Sequence, residues 1–244
     1  MIKFLFRSCS IDLRVDTCEE LWYNNGQENE KLQEVTMLKY DHYIFDFDGT
    51  ISDSYPYFLR AARKVVDHYG ISITDEQIYE VIKWKTVAYF FNSLGLGEHM
   101  DEVMQMFNAV KREMLVNQAT PIEGAADLLE KICNAGGKCY VYSHSGNIVI
   151  ENSKKWGLDC YFVDYFLGSK YPRKPAPDAL FALLQKHGLD SSRCVMIGDR
   201  DIDVIAGKNA GMDGILIDGE NYYRDLEVTH RVRNLKEIES VIFE

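Results

Sequence analysis

The chain has 244 residues, with 27 Lys and Arg against 38 Asp and Glu and a net charge of −11. That length can bury a sizeable core in one or two domains, and 46% hydrophobic with 27% charged residues is the composition of a soluble globular protein. The acidic balance argues against nucleic acid or an anionic membrane surface as partner, because a phosphate backbone calls for basic neutralisation.

In chain order, residues 1–40 read as an N-terminal extension without an assignable role. A short apolar start leads to the polar stretch Asn24–Lys31, which reads as loop. Met37 stands just before the first strand and is a candidate natural start. The apolar residues Tyr43-Ile44-Phe45 then run into Asp46, Asp48 and Gly49. From Tyr55 to about Asn117 the pattern is helical. Tyr57, Phe58, Ala61, Val65, Val66 and Tyr69 form one apolar face ending at Gly70, and Thr74-Asp-Glu-Gln77 is a capping box. Val103, Met106, Phe107, Val110 and Met114 repeat the helical period.

After Pro121 strands and helices alternate. Helices are predicted at 125–134, 147–156, 177–187, 202–209 and 235–241, with strands at 138–142, 161–167, 194–197 and 215–217. Such alternation predicts an α/β fold, a Rossmann-like doubly wound parallel sheet covered on both faces. Its ligand site belongs at the carboxyl ends of the strands. The expected organisation is an α/β core of residues 41–54 and 119–244, with residues 55–118 as a helical insert between its first strand and the remainder.

Six scattered cysteines include no Cys-x-x-Cys pair, which argues against zinc. Met1–Arg7 has too short an apolar core for a signal peptide, and no apolar run reaches the ~18–20 residues of a membrane span. A reducing cytoplasm is the expected location, and the protein is expected as a monomer or homodimer.

Four polar clusters fall at strand ends. On a strand, Asp46 and Asp48 would share a face, and two close carboxylates resist ionisation unless a cation sits near them. Mg²⁺, which prefers carboxylate oxygens, meets that need. Asp-Gly is also a hairpin signal, but Ile51–Ser54 leads into a helix, and Ile51 stands where an EF-hand loop needs glycine. Ser143-His-Ser-Gly-Asn147 is a strand-to-helix turn able to hold a phosphate oxygen, with helix capping as the plainer explanation. Arg173-Lys174-Pro175 precedes a helix, and Lys174 matters if it reaches the carboxylates. Gly198-Asp199-Arg-Asp201-Ile-Asp203 follows a buried strand, where acids are costly without a cation.

Together these clusters resemble the four motifs of the haloacid dehalogenase (HAD) superfamily, in its subfamily I with an alpha-helical cap and its phosphoglycolate-phosphatase-like subgroup. Asp46-x-Asp48-Gly-Thr50 is similar to the first motif, Ser143 to the second, Lys174 to the third and Gly198-Asp199-x-x-x-Asp203 to the fourth. The resemblance covers residues 42–218. It implies an Mg²⁺-dependent phosphatase of a small phosphorylated metabolite. Asp46 would be the nucleophile forming an aspartyl-phosphate and Asp48 the general acid and base. It further implies Mg²⁺ at Asp46, Asp48, Asp199 and Asp203, with Ser143 and Lys174 on the other phosphate oxygens. Dehalogenases of this superfamily lack the second aspartate, so Asp48 favours phosphoryl chemistry.

Other readings are a phosphosugar mutase of the same family and a non-catalytic binding or regulatory module on the same fold. A phosphonate hydrolase would need a Schiff-base lysine, for which Lys83 and Lys85 are candidates. Substrate contacts are expected from His144, Lys83 and Lys85, and Trp84, Tyr89 and Phe90 either face the cleft or fill the cap core.

Overall fold

The computed structural model describes residues 37–243. The extension assigned to residues 1–40 and the question of a start at Met37 lie almost wholly outside them. Strands β1 (His42–Phe45), β2 (Lys138–Ser143), β3 (Phe162–Leu167), β4 (Cys194–Gly198), β5 (Asp213–Ile217) and β6 (His230–Val232) form one sheet in the order β3-β2-β1-β4-β5-β6. Every pairing is parallel. This is the strand order of a Rossmann sheet, whose chain direction reverses beside β1 and leaves a crevice at the carboxyl ends.

Parallel strands buried on both faces read as continuous apolar runs. Here the side-chain alternation sorts each run between two layers. Tyr43, Phe45, Cys139, Val141, Val195 and Ile197 turn to one face, against helices α5 (Ala125–Asn134), α6 (Ile148–Lys155) and α9 (Leu235–Ile242). Ile44, Tyr140, Tyr142, Cys194 and Met196 turn to the other, against α7 (Asp178–His187) and α8 (Asp201–Asn209). Gly188 closes α7 in the left-handed conformation, as expected of glycine at a helix end. The sequence elements after Pro121 thus recur within a residue or two. β6 is three residues long and has no pattern of its own in the sequence.

The insert between β1 and α5 holds α1 (Tyr55–His68), α2 (Asp75–Trp84), α3 (Val87–Ser93) and α4 (Met100–Gln118). The capping box at Thr74 is complete: its hydroxyl accepts from the Gln77 N–H, and the Gln77 side chain accepts from the Thr74 N–H. These helices pack an apolar cluster of their own, with Ala61, Val65, Ile78, Phe90, Phe91 and Phe107 at its centre. Among the described residues no helix is long and apolar enough to cross a membrane.

Position in the sheet decides what a side chain contributes. Ile44 is fully buried in the central strand, whereas Val163 on the edge strand β3 is 50% exposed. Ile44→Ala is expected to cost about 2–5 kcal/mol of stability in urea unfolding, and Val163→Ala under ~0.5 kcal/mol. Equal losses would contradict the placement of the core.

Candidate active site

Asp46 follows β1, and its N–H donates to the Ile197 carbonyl at 2.8 Å, next to the turn that carries Asp199. The ladder of β1 ends with Phe45, so a glycine turn and not strand alternation aims Asp48. Gly49 has φ +80°, and a side chain there would meet the Tyr55 ring and come within 2.7 Å of Asp199 Oδ2. Only glycine serves both the turn and the close approach.

Lys174, arriving from the loop after β3, is the cation at the centre of the site. Its ammonium donates to Asp46 Oδ1 at 2.6 Å, to Asp203 Oδ1 at 2.8 Å and to the Tyr142 carbonyl at 2.8 Å. An ammonium has three donors, so all are engaged before any ligand arrives. Lys174 thus reaches the carboxylates, as its position before a helix left open, and sits between Asp46 and Asp203. Burial opposes the charge on Lys174, but attraction to Asp203 and Asp46 outweighs it and raises its pKa above the usual lysine value. Burial likewise pushes the Asp46 carboxyl well up, with Lys174 pulling down and Asp203 and Asp199 adding to the rise. Asp203 is raised by burial against the same pull, and its second oxygen accepts from the Arg200 N–H at 3.1 Å.

Asp199 accepts from the Tyr55 hydroxyl at 2.8 Å and from Thr50 Oγ1 at 3.4 Å. The Lys83 ammonium, reaching down from the end of α2, also donates to Asp199 Oδ2 and lies 4.3 Å from the centre of the Tyr55 ring. The nitrogen of Lys83, a candidate for a Schiff base, is here paired with a carboxylate. Carboxylate oxygens of Asp46, Asp199 and Asp203 lie within 4.8 Å of one another, and all three residues are buried. An all-oxygen, all-anionic donor set of this kind fits a hard divalent cation. Charge supports the fit: three carboxylates face two ammonium groups, and a divalent cation in place of Lys83 would bring the cluster to neutrality.

Asp48 stands apart from that cluster. Its Oδ2 accepts from the Ser145 hydroxyl, and the Ser145 N–H donates to Ser143 Oγ at 3.1 Å. This ties the turn after β1 to the turn after β2. His144 Nε2 accepts from the Lys174 N–H at 2.9 Å. Burial, with the charges of Lys174, Arg173 and Arg200, lowers the His144 pKa to about 4.

Asp46, Asp48, Ser143, His144 and Lys174 all line a cleft of about 670 Å³ between core and insert, which Lys85 lines from the insert side. Lys83 reaches Asp199 without lining it. Phe90 belongs to the insert core, while Tyr89 is exposed. Trp84 takes neither expected place: its ring packs against Tyr222 and Tyr223, with centroids 5.2 and 5.0 Å away. The loop under Trp84 is held by Asp218, which accepts from the N–H groups of Tyr222 and Tyr223 and pairs with Arg231.

Tyr55, Ser145, Lys111, Arg173 and Arg200 also belong to the site. Ser145 has a sequence signal, a second hydroxyl two residues after Ser143. So has Lys111, four residues after Phe107 on the helical face.

The model of the haloacid dehalogenase-like hydrolase family matches residues 43–217. Phosphoglycolate phosphatase of Vibrio parahaemolyticus is 29% identical over 182 residues, covering 68% of this chain and 78% of that protein. Pyrophosphatase PpaX of Bacillus velezensis is 28% identical over 172 residues, covering 69% and 78%. Among solved structures, a haloacid dehalogenase-like family hydrolase from Streptococcus pneumoniae superposes with a TM-score of 0.74 at 17% identity, covering 83% of this chain and 98% of that one. That likeness bears on the fold.

The Lys174 N–H requires an unprotonated His144 Nε2, which gives the site a pH signature. With a folded pKa of about 4 against ~6.5 unfolded, the unfolded chain binds more protons between those values. His144 therefore contributes stability that is present above about pH 6.5 and lost as pH falls toward 4. His144→Asn is expected to flatten the loss of urea-unfolding stability between pH 6.5 and 4. An unchanged slope would show that His144 carries none of it.

Proposed function

The chain belongs to the haloacid dehalogenase-like hydrolase family, and on that footing we propose that it is a phosphatase of small phosphorylated metabolites, working through Asp46 with Mg²⁺. One observation carries the reading. Two aspartates from a single turn are held in opposite surroundings, Asp46 buried against Lys174 among other carboxylates and Asp48 facing the cleft on a serine hydroxyl. Carboxylates whose environments differ in this way divide into distinct chemical roles.

In this reading Asp46 attacks phosphorus in line as the bond to the leaving oxygen breaks, and Asp48 delivers a proton to that oxygen. Asp48 then takes a proton from the water that attacks the aspartyl-phosphate, releasing inorganic phosphate and restoring Asp46. Lys174 fixes one Asp46 oxygen so that the other is presented to phosphorus, and it lends positive charge to the phosphoryl group. Ser143 and the N–H groups of its turn hold phosphoryl oxygens. Mg²⁺, held by Asp46, Asp199 and the Asp48 carbonyl with Asp203 in support, would neutralise phosphoryl charge. Residues 55–118 act as a cap over the core of 41–54 and 119–244, excluding water when closed.

The test is p-nitrophenyl phosphate hydrolysis with Mg²⁺. EDTA should abolish it, Asp46→Asn should lower kcat at least about a thousandfold, and Asp48→Asn should lower it about 10²–10⁴-fold. Activity surviving in Asp46→Asn would overturn the mechanism.

Lys83 and the metal compete for Asp199 in this reading. Lys83→Met is expected to tighten Mg²⁺ binding about threefold to tenfold in calorimetry, the equivalent of a partly buried ion pair worth roughly 1 kcal/mol. Unchanged or weaker binding would remove Lys83 from the metal equilibrium.

A further inference from the structure

The cations of the site fall into two groups. Lys174 and Lys83 are committed to aspartates. Lys111 is not. It projects from α4 into the cleft that Asp48 and Ser143 also line, and among the described residues it has no hydrogen-bond or ion-pair partner. Its ammonium lies over the rings of Phe58 and Phe107, 5.0 and 5.5 Å from their centres. Those contacts hold the chain in place and offset part of the lost hydration, but they leave the donors unused.

An ammonium partly withdrawn from water and left without a protein acceptor gains from an anion that completes it. Burial lowers the pKa of Lys111, the Asp48 carboxylate working against this and Arg173 adding to it. That places Lys111 within the fields of the proposed acid and of a second cation. Arg173 is exposed, lines the same cleft, and its guanidinium likewise has no hydrogen-bond or ion-pair partner among the described residues. Farther along the wall, the guanidinium of Arg200 keeps its buried Nε unpartnered while another nitrogen donates to the Lys85 carbonyl at 3.1 Å. The unpaired charge of Lys111 thus lies in the field of Asp48, beside which a leaving group must lie to take a proton from it.

We infer that the cleft selects phosphorylated substrates whose leaving group bears a second anionic group, a carboxylate or another phosphate, and that Lys111, aided by Arg173, is the specificity residue that binds it. The inference rests on the phosphatase reading and narrows it. A neutral polyol leaving group offers Lys111 only hydroxyl acceptors, whereas an anionic one pairs its charge in a hydrogen bond between two ions. The cavity, at about 670 Å³, exceeds what a bare phosphate needs and lies in the range of small-molecule sites.

The test compares three esters on one skeleton: glycerol 3-phosphate (neutral leaving group), 3-phosphoglycerate (carboxylate) and glycerol 1,3-bisphosphate (second phosphate). Wild-type protein with Mg²⁺ should show a higher kcat/KM for at least one anionic ester than for the neutral one, and the better of the two identifies the anion. Lys111→Met, which keeps the apolar stem over the rings, should reduce the ratio of anionic to neutral kcat/KM about tenfold to hundredfold, mainly through KM. Lys111→Arg should restore most of that ratio. Hydrolysis without preference for either anionic ester, or an equal loss on all three in Lys111→Met, overturns the inference and leaves the phosphatase reading standing. No turnover of any ester or of p-nitrophenyl phosphate by the wild type overturns both.

Discussion

The ammonium of Lys174, shared by Asp46, Asp203 and the Tyr142 carbonyl, is the interaction on which the rest of the structure depends. Its three partners come from the ends of β1 and β2 and the first turn of α8 after β4, and the lysine itself comes from the loop after β3. One buried cation therefore ties four strand ends to a single point. Removing it would leave two buried carboxylates without compensation, a loss of several kcal/mol in comparable buried pairs. The parallel register has to be kept for the same reason. A one-residue slip of β1 would exchange the faces of Tyr43, Ile44 and Phe45 and carry Asp46 away from the lysine.

That constraint separates two uses of positive charge in an acidic chain. With a net charge of −11, the protein gains nothing from long-range attraction of phosphorylated ligands. Attraction has to be built locally, and the cleft does so with Lys85, Lys111, Arg173 and Arg200 around the committed Lys174. On the proposed mechanism Lys174 sets the position of the nucleophile and Lys111 is left to answer a ligand, so the charge that organises the chemistry and the charge that chooses the substrate would reside on different residues.

Much of this was legible in the sequence because it is local. The apolar runs ending in Asp46, Ser143 and Asp199 show where strands stop, and an acid or hydroxyl just past a buried strand has few cheap explanations. The capping box at Thr74 and the glycine after α7 are equally local and recur as read. What was not legible is tertiary. Tyr55 reaches Asp199 across 144 residues and Lys83 across 116, and neither carries a spacing that announces its partner. Trp84 is the clearest case, since an aromatic on a helix suggests a core or a cleft, and its partners Tyr222 and Tyr223 lie on a loop that exists because Asp218 and Arg231 fold it. Alternation placed Asp46 and Asp48 on one face, but the strand ends before them and the turn at Gly49 decides their separation.

Two neighbouring contacts of the insert with the core, made by Lys83 and Trp84, differ in kind. Trp84 against Tyr222 and Tyr223 is a contact of aromatic rings, indifferent to charge in the site. Lys83 on Asp199 is an ion pair with a proposed metal ligand, and it depends on what else neutralises the three aspartates. On that reading a cation entering the cluster releases the Lys83 side chain, while the Trp84 contact one residue on keeps the same end of α2 on the core. Linkage makes the relation reciprocal: whatever draws Lys83 away from Asp199 strengthens the hold of the aspartates on a metal.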